Sequence, residues 1–195
     1  MKEKKKSLIL KVAQELFAKF GFFKTTVDEI AKAARMGKAS LYHYFKGKEE
    51  IYKEVIEKES QILHEKIQEA ISREDNPYKK LKAFVLTRMK YLNELSNIYN
   101  ALKNDLLRHY HFIEKIREKD FHREIETVKS ILREGIQKNI FAIKDIELTS
   151  FAIISAFKGL EYPWTIKVPS SDIEKNIDKL LEILFHGLLK NRTKN

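Results

Sequence analysis

The chain contains no cysteine, which excludes disulfides, zinc ribbons and thiol nucleophiles. Glycine and proline are scarce, six and three in 195 residues, so there is little material for the tight turns of hairpins. No uncharged run approaches the ~18 residues that a membrane-spanning helix requires. The first residues are basic, but Lys11, Gln14 and Glu15 interrupt the apolar positions that follow. The continuous apolar centre of a secretory signal is therefore missing. No internal repeat or low-complexity stretch appears beyond the two Lys-rich ends. Hydrophobic residues make up 43% and charged residues 34%, too apolar for a disordered chain and too charged for a membrane protein. These features predict a cytoplasmic, all-α protein.

The charge is unevenly placed. Residues 1–50 hold 12 Lys/Arg against 6 Asp/Glu, while the remaining residues hold 26 against 22. A quarter of the chain thus carries more than half of the +10 excess. A concentrated basic surface on a small module suits phosphate-backbone binding, because each neutralised phosphate releases counterions. A general richness in lysine is the bland alternative. Lys2, Lys4, Lys5 and Lys6 read as a solvated tail ahead of the first helix, with nonspecific phosphate contact as the second reading.

The apolar spacing divides the chain into about nine helices, three short and six longer. Leu8, Val12, Leu16 and Phe20 mark the first, closed by Gly21, which tolerates the left-handed conformation of a helix end. Thr26 and Glu29 form a capping box for a short second helix over 27–34. A third spans 38–45, and Glu49 and Glu50 open a long fourth helix that runs to about residue 73. Pro77 starts the fifth. The remainder are expected over 98–109, 112–138, 145–162 and 171–190, with Pro163 and Pro169 separating the last two.

Two short helices joined by a tight turn and packed on a first helix make a helix-turn-helix unit. Its second helix must show a polar face to the major groove while its apolar back holds to the others. Leu41 with Tyr44 or Phe45 can supply the back, and Lys38, Ser40, Tyr42 and His43 the front. Phe20-Gly21-Phe22, Thr25 through Ala31, Ala34 and the string Lys38 through Ile51 together closely resemble a known domain. It is the DNA-binding domain of the TetR family of bacterial transcriptional repressors, and the match covers about residues 8–55.

That resemblance implies roles by position. Thr26 matches the residue that caps the second helix and touches a phosphate. Lys38, Ala39 and Ser40 match the start of the recognition helix. Tyr42, His43 and Tyr44 match contacts to phosphates or base edges, and Lys48 matches a cation that grips the backbone. Three residues depart from the family pattern, with Arg35 and Ala39 each in place of Gly, and Gly37 in place of Ser or Thr. A non-Gly residue in the left-handed turn costs on the order of 1 kcal/mol, and Gly37 offers no side-chain cap. These departures bear on turn geometry and operator preference.

Beyond the motif, the two C-terminal helices carry surplus apolar surface. Ala152, Ala156 and Gly159 are small residues that permit close approach, and Ile177, Leu181, Leu184 and Leu188 form a stripe. Ile183 falls outside that stripe, so the last helix is apolar on more than one face. Such helices suit a homodimer interface, which the resemblance also implies. Candidates for an effector cavity are Phe84, Arg88, Tyr91, Tyr99, Phe121, Phe157 and Trp164, although aromatic residues at helical spacing are also ordinary core. Arg88 lies among Leu81, Phe84, Val85 and Leu92, and must either pair internally, snorkel to solvent or hold an anionic ligand head.

His109 and His111 are two residues apart and fall on different helix faces, so no metal site is expected. No nucleophile elbow, phosphate loop or carboxylate pair suggests catalysis, and no cofactor is implied. The expected function is a homodimeric, ligand-responsive repressor that binds a palindromic double-stranded operator and is released by a small apolar or amphipathic effector. A DNA-bound adaptor whose C-terminal domain (48–195, after a DNA-binding domain of 1–47) takes a protein partner is the alternative.

Overall fold

The computed structural model describes residues 2–95, 110–167 and 170–186. Among these residues the regular structure is all helical. Eight helices occur in order: α1 (Lys2–Phe20), α2 (Val27–Ala33), α3 (Lys38–Tyr42), α4 (Lys48–Ser72), α5 (Pro77–Glu94), α6 (Tyr110–Gln137), α7 (Ile146–Lys167) and α8 (Ser170–His186). The helix expected over 98–109 lies outside the described residues.

Three boundaries differ from expectation for physical reasons. The lysines before Leu8 are not a tail, because α1 begins at Lys2. Lysine and glutamate are good helix formers, so a helix nucleated by its apolar stripe extends through them. At the other extreme α3 ends at Tyr42, with His43 as its C-cap. Helix α7 continues past Pro163 to Lys167, although that proline has no amide proton to donate to the preceding turn.

Helix ends are closed by side chains and by left-handed residues. Gly21 has φ of 81°, and its amide donates to the Phe17 carbonyl at 2.8 Å. Arg35 takes the same region with φ of 54°. Around it the Met36 amide donates to Ala31 O at 3.0 Å and the Arg35 amide to Lys32 O at 3.1 Å, the paired bonds of a Schellman end. Asn139 (φ of 53°) repeats the arrangement after α6, with Ile140 N donating to Gly135 O and Asn139 N to Ile136 O. The Phe141 ring then lies where a Cβ at residue 135 would stand, which accounts for the glycine.

The chain divides into two compact units, residues 1–66 with 91–124 and residues 67–90 with 125–195. In the first unit Ile9, Ala13 and Phe17 of α1, Ile30 and Ala31 of α2, and Leu41 of α3 are buried with Phe45, Ile51 and Val55. Tyr52 of α4 meets Phe17 edge-on at 5.0 Å and Phe22 at 4.7 Å between ring centroids. In the second unit Leu81, Phe84, Val85 and Met89 of α5 are buried, as are Val128 and Leu132 of α6. Ile153, Ile154 and Phe157 of α7 join them with Ile177 and Leu181 of α8. Lys80 to Glu134 at 2.7 Å and Lys82 to Asp178 at 2.6 Å tie α5 to α6 and α8 from outside. Among the described residues no helix is long and apolar enough to cross a membrane.

Candidate nucleic-acid interface

The local sequence fixes where α2 begins. Thr26 is extended and accepts a hydrogen bond on Oγ1 from the Glu29 amide at 3.2 Å. Glu29 Oε2 in turn accepts from the Thr26 amide and from its hydroxyl, both at 2.8 Å. The backbone bond to Thr26 and then its hydroxyl favour the ionised carboxylate, so the Glu29 pKa is lowered. Thr25 is buried just before this cap and donates from its hydroxyl to Gly21 O at 2.9 Å. The end of α1 and the start of α2 are thereby joined.

Helix α3 is short and two-faced. Leu41 is fully buried, and Phe45 just beyond the helix is 1% exposed. Lys38, Ala39, Ser40, Tyr42 and His43 are all exposed, Tyr42 at 48%, while Tyr44 is half-buried. The apolar back is therefore Leu41 and Phe45, and Tyr44 lies at the edge between the two faces. Gly37 caps the helix with an extended backbone and no side-chain bond.

Two of the expected DNA contacts have intramolecular partners that the sequence did not reveal. Lys38 Nζ lies 3.0 Å from Asp28 Oδ1, across the turn on α2. Its pKa is raised, first by that hydrogen bond and then by the Asp28 charge. Lys48 donates from Nζ to the Phe22 carbonyl at 2.9 Å and sits 4.4 Å from the centroid of the Phe22 ring. This anchors the start of α4 to the loop after α1, while the half-buried side chain keeps further donors. No periodicity could have shown either partner, because both join separate elements.

The residues assigned to an effector cavity do not share one environment. Phe84, Arg88 and Phe157 are buried in the second unit, at 0%, 1% and 1% exposure. Arg88 Nη1 makes no hydrogen bond, although the side chain has other interactions. Tyr91 and Phe121 are half-buried in the first unit. Trp164 falls in the last turn of α7, and Tyr99 lies outside the described residues. A surface cleft of about 510 Å³ opens beside Tyr78, Glu174, Asp178 and Glu182, and its charged lining is unlike the apolar cavity expected. Among the described residues no cluster of three His, Cys, Asp or Glu side chains could hold a metal.

The residues assigned to a dimer interface separate in the same way. Ile177 and Leu181 are fully buried within the subunit, whereas Ala152, Ala156 and Gly159 are exposed on α7. They share an exposed stripe with Leu148 and Phe151, 64% and 51% exposed. On α8 the exposed apolar residues are Ile183 and Leu184, at 50% and 41%. Leu188 lies outside the described residues.

A short helix held from behind by two others, with a polar front and cations around it, defines a helix-turn-helix DNA-binding protein. The family model described as bacterial regulatory proteins, tetR family, matches residues 9–55. QacR, an HTH-type transcriptional regulator of Staphylococcus aureus, is 29% identical over 95% of this chain and 98% of its own. The Bacillus subtilis HTH-type transcriptional regulator YhgD is 27% identical over 96% and 98%. Among solved structures, Bacillus subtilis FadR in complex with stearoyl-CoA is 25% identical, with a TM-score of 0.70 over 94% of this chain and 99% of that one. Residues 9–55 thus match the DNA-binding segment of the TetR family, and the whole chain is similar in sequence to HTH-type transcriptional regulators.

Proposed function

We propose that the protein is a homodimeric repressor that reads a near-palindromic operator through paired α3 helices. Residues 1–47 serve as the DNA-binding domain and residues 48–195 as the effector and dimerisation domain. The observation that carries this reading is the polar front of α3, from Lys38 to His43, set over buried Leu41 and Phe45. Half-sites are expected about one helical turn, roughly 34 Å, or a multiple of it apart. The exposed stripe Leu148, Phe151, Ala152, Ala156 and Gly159 of α7, together with Ile183 and Leu184 of α8, supports the subunit interface. Exposed apolar surface of this kind is costly on a monomer and ordinary at a subunit contact.

The effector proposed is an elongated apolar molecule with an anionic head. Two observations support it: a fully buried arginine in an otherwise apolar region of the second unit, and a relative whose solved structure holds stearoyl-CoA. Binding would favour a state with altered spacing of the two α3 helices. The test uses duplexes enriched by the native protein from a randomised pool, followed by fluorescence anisotropy with stearoyl-CoA added. Release of the native protein is expected, together with retention of an Arg88→Leu variant that binds the same duplex. Failure to enrich any sequence would refute the operator, and indifference of the native complex to acyl thioesters would refute this effector class.

A further inference from the structure

Lys6 shows where the first turn of α1 stands. Its Nζ lies 2.7 Å from Glu54 Oε1 on α4 and 5.4 Å from the centroid of the Phe45 ring. Phe45 follows α3 by three residues, and exposed Lys46 comes next. The start of α1 is thus held beside the C-terminal end of the recognition segment.

Helical spacing then places the neighbouring lysines. Lys2 precedes Lys6 by four residues, and Lys5 precedes fully buried Ile9 by four. Residues so spaced lie on one helix face. Lys2, Lys5 and Lys6 therefore continue the packed face defined by Ile9, Ala13 and Phe17, but Lys2 and Lys5 lie beyond the end of the core and are exposed. Lys4 and Lys11, seven apart, occupy the opposite side of the helix. Among the described residues Lys2 and Lys5 form no ion pair, whereas Lys6 and Lys38 each hold a carboxylate.

We infer that Lys2 and Lys5, with Lys46, contact phosphates of duplex DNA outside the base pairs facing α3, so that each half-site footprint extends past the recognition helix. The partner is a phosphate backbone rather than an anionic membrane. A helix lying on a bilayer must insert its apolar face, and that of α1 is occupied by the protein's own core. The inference rests on the operator reading above.

The test uses the full chain and a duplex enriched from a randomised pool, in two lengths, one trimmed to the base pairs facing the two α3 helices and one with flanking sequence restored. Binding is measured from low to moderate salt for the native protein, the double variant Lys2→Ala/Lys5→Ala and the control Lys11→Ala. On the flanked duplex the double variant is expected to lower the slope of log affinity against log salt by about two, at roughly 0.9 per phosphate. The trimmed duplex and the control are expected to show little change. An unchanged slope on the flanked duplex, or an equal loss with Lys11→Ala, would overturn the inference. So would loss of binding to phosphatidylglycerol vesicles with DNA binding unaffected. A native protein that enriches no sequence would refute the operator reading instead, so the two failures are distinguishable. The three substituted side chains, Lys2, Lys5 and Lys11, are all solvent-exposed, and circular dichroism checks that each variant is folded.

Discussion

Gln14 on α1 donates from Nε2 to Glu59 Oε1 on α4 at 2.9 Å, and Glu59 is 1% exposed. A carboxylate this deeply buried needs donors around it, because loss of one exposes the desolvation cost of the charge. The pair joins the first helix of the DNA-binding module to the helix that leaves it, about two turns along α1 from the Lys6–Glu54 bridge. Gln14→Leu is expected to destabilise the fold by about 1–3 kcal/mol, read as a lowered urea midpoint. Glu59→Gln, which removes the charge and keeps the shape, should cost less than Gln14→Leu. Equal losses would show that burial of the charge is not what the glutamine offsets.

The left-handed turn at Arg35 yields a prediction of opposite sign. An L-residue with φ of 54° is strained by its Cβ, and glycine removes that strain. Arg35→Gly is expected to raise stability by about 1 kcal/mol, less the entropy that glycine returns to the unfolded chain. Denaturant titration checks it, and destabilisation would mean that the arginine side chain contributes more than its backbone costs.

The capping box at Thr26 is pH-dependent. The folded-state pKa of Glu29 is depressed below 4.5, so its stabilising contribution is fully present above that value and is lost as pH falls through the folded pKa. Glu29→Ala should therefore lower the melting temperature at pH 7, and the difference from the native protein should narrow towards pH 3. A difference that is constant over that range would show that the carboxylate charge is not involved.

At the proposed subunit interface, Leu184→Glu introduces a charge at a position 41% exposed in the single subunit. It is expected to give a folded monomer by light scattering, with operator affinity sharply reduced because the paired half-sites are no longer bound together. Leu181→Glu, at a fully buried position, should instead unfold the subunit. Folded dimers of Leu184→Glu would place the interface elsewhere.

Much of the DNA-binding module was legible because its signals are local. The Thr26–Glu29 cap, the glycine after Phe20 and the buried Leu41 each follow from a few neighbouring residues. The start of α1 was missed because its first turn carries no apolar marker, and only the contacts of Lys6 show that the lysines belong to a packed helix. In α8 the spacing revealed two apolar faces but not which is internal. Ile177 and Leu181 are buried within the second unit, where Lys82–Asp178 and Tyr78–Phe185 hold α8 to α5, a fact of tertiary packing. For the same reason Arg88 could be located on its helix, while Tyr91 and Phe121 could not be assigned to the other unit.

The ion pair between Lys38 and Asp28 changes what a salt titration of this protein would count. A bare lysine that meets a phosphate displaces condensed cations from the DNA, and the slope records them. Lys38 instead arrives carrying its own carboxylate, held at 3.0 Å on the preceding helix. Exchange of Asp28 for a phosphate swaps one anion for another on the lysine and leaves a negative charge facing the duplex, so the gain in entropy from freed ions is partly returned. The number of backbone contacts inferred from ionic strength alone would then fall short of the number of cations at the interface, and Asp28→Asn would bring the two closer together.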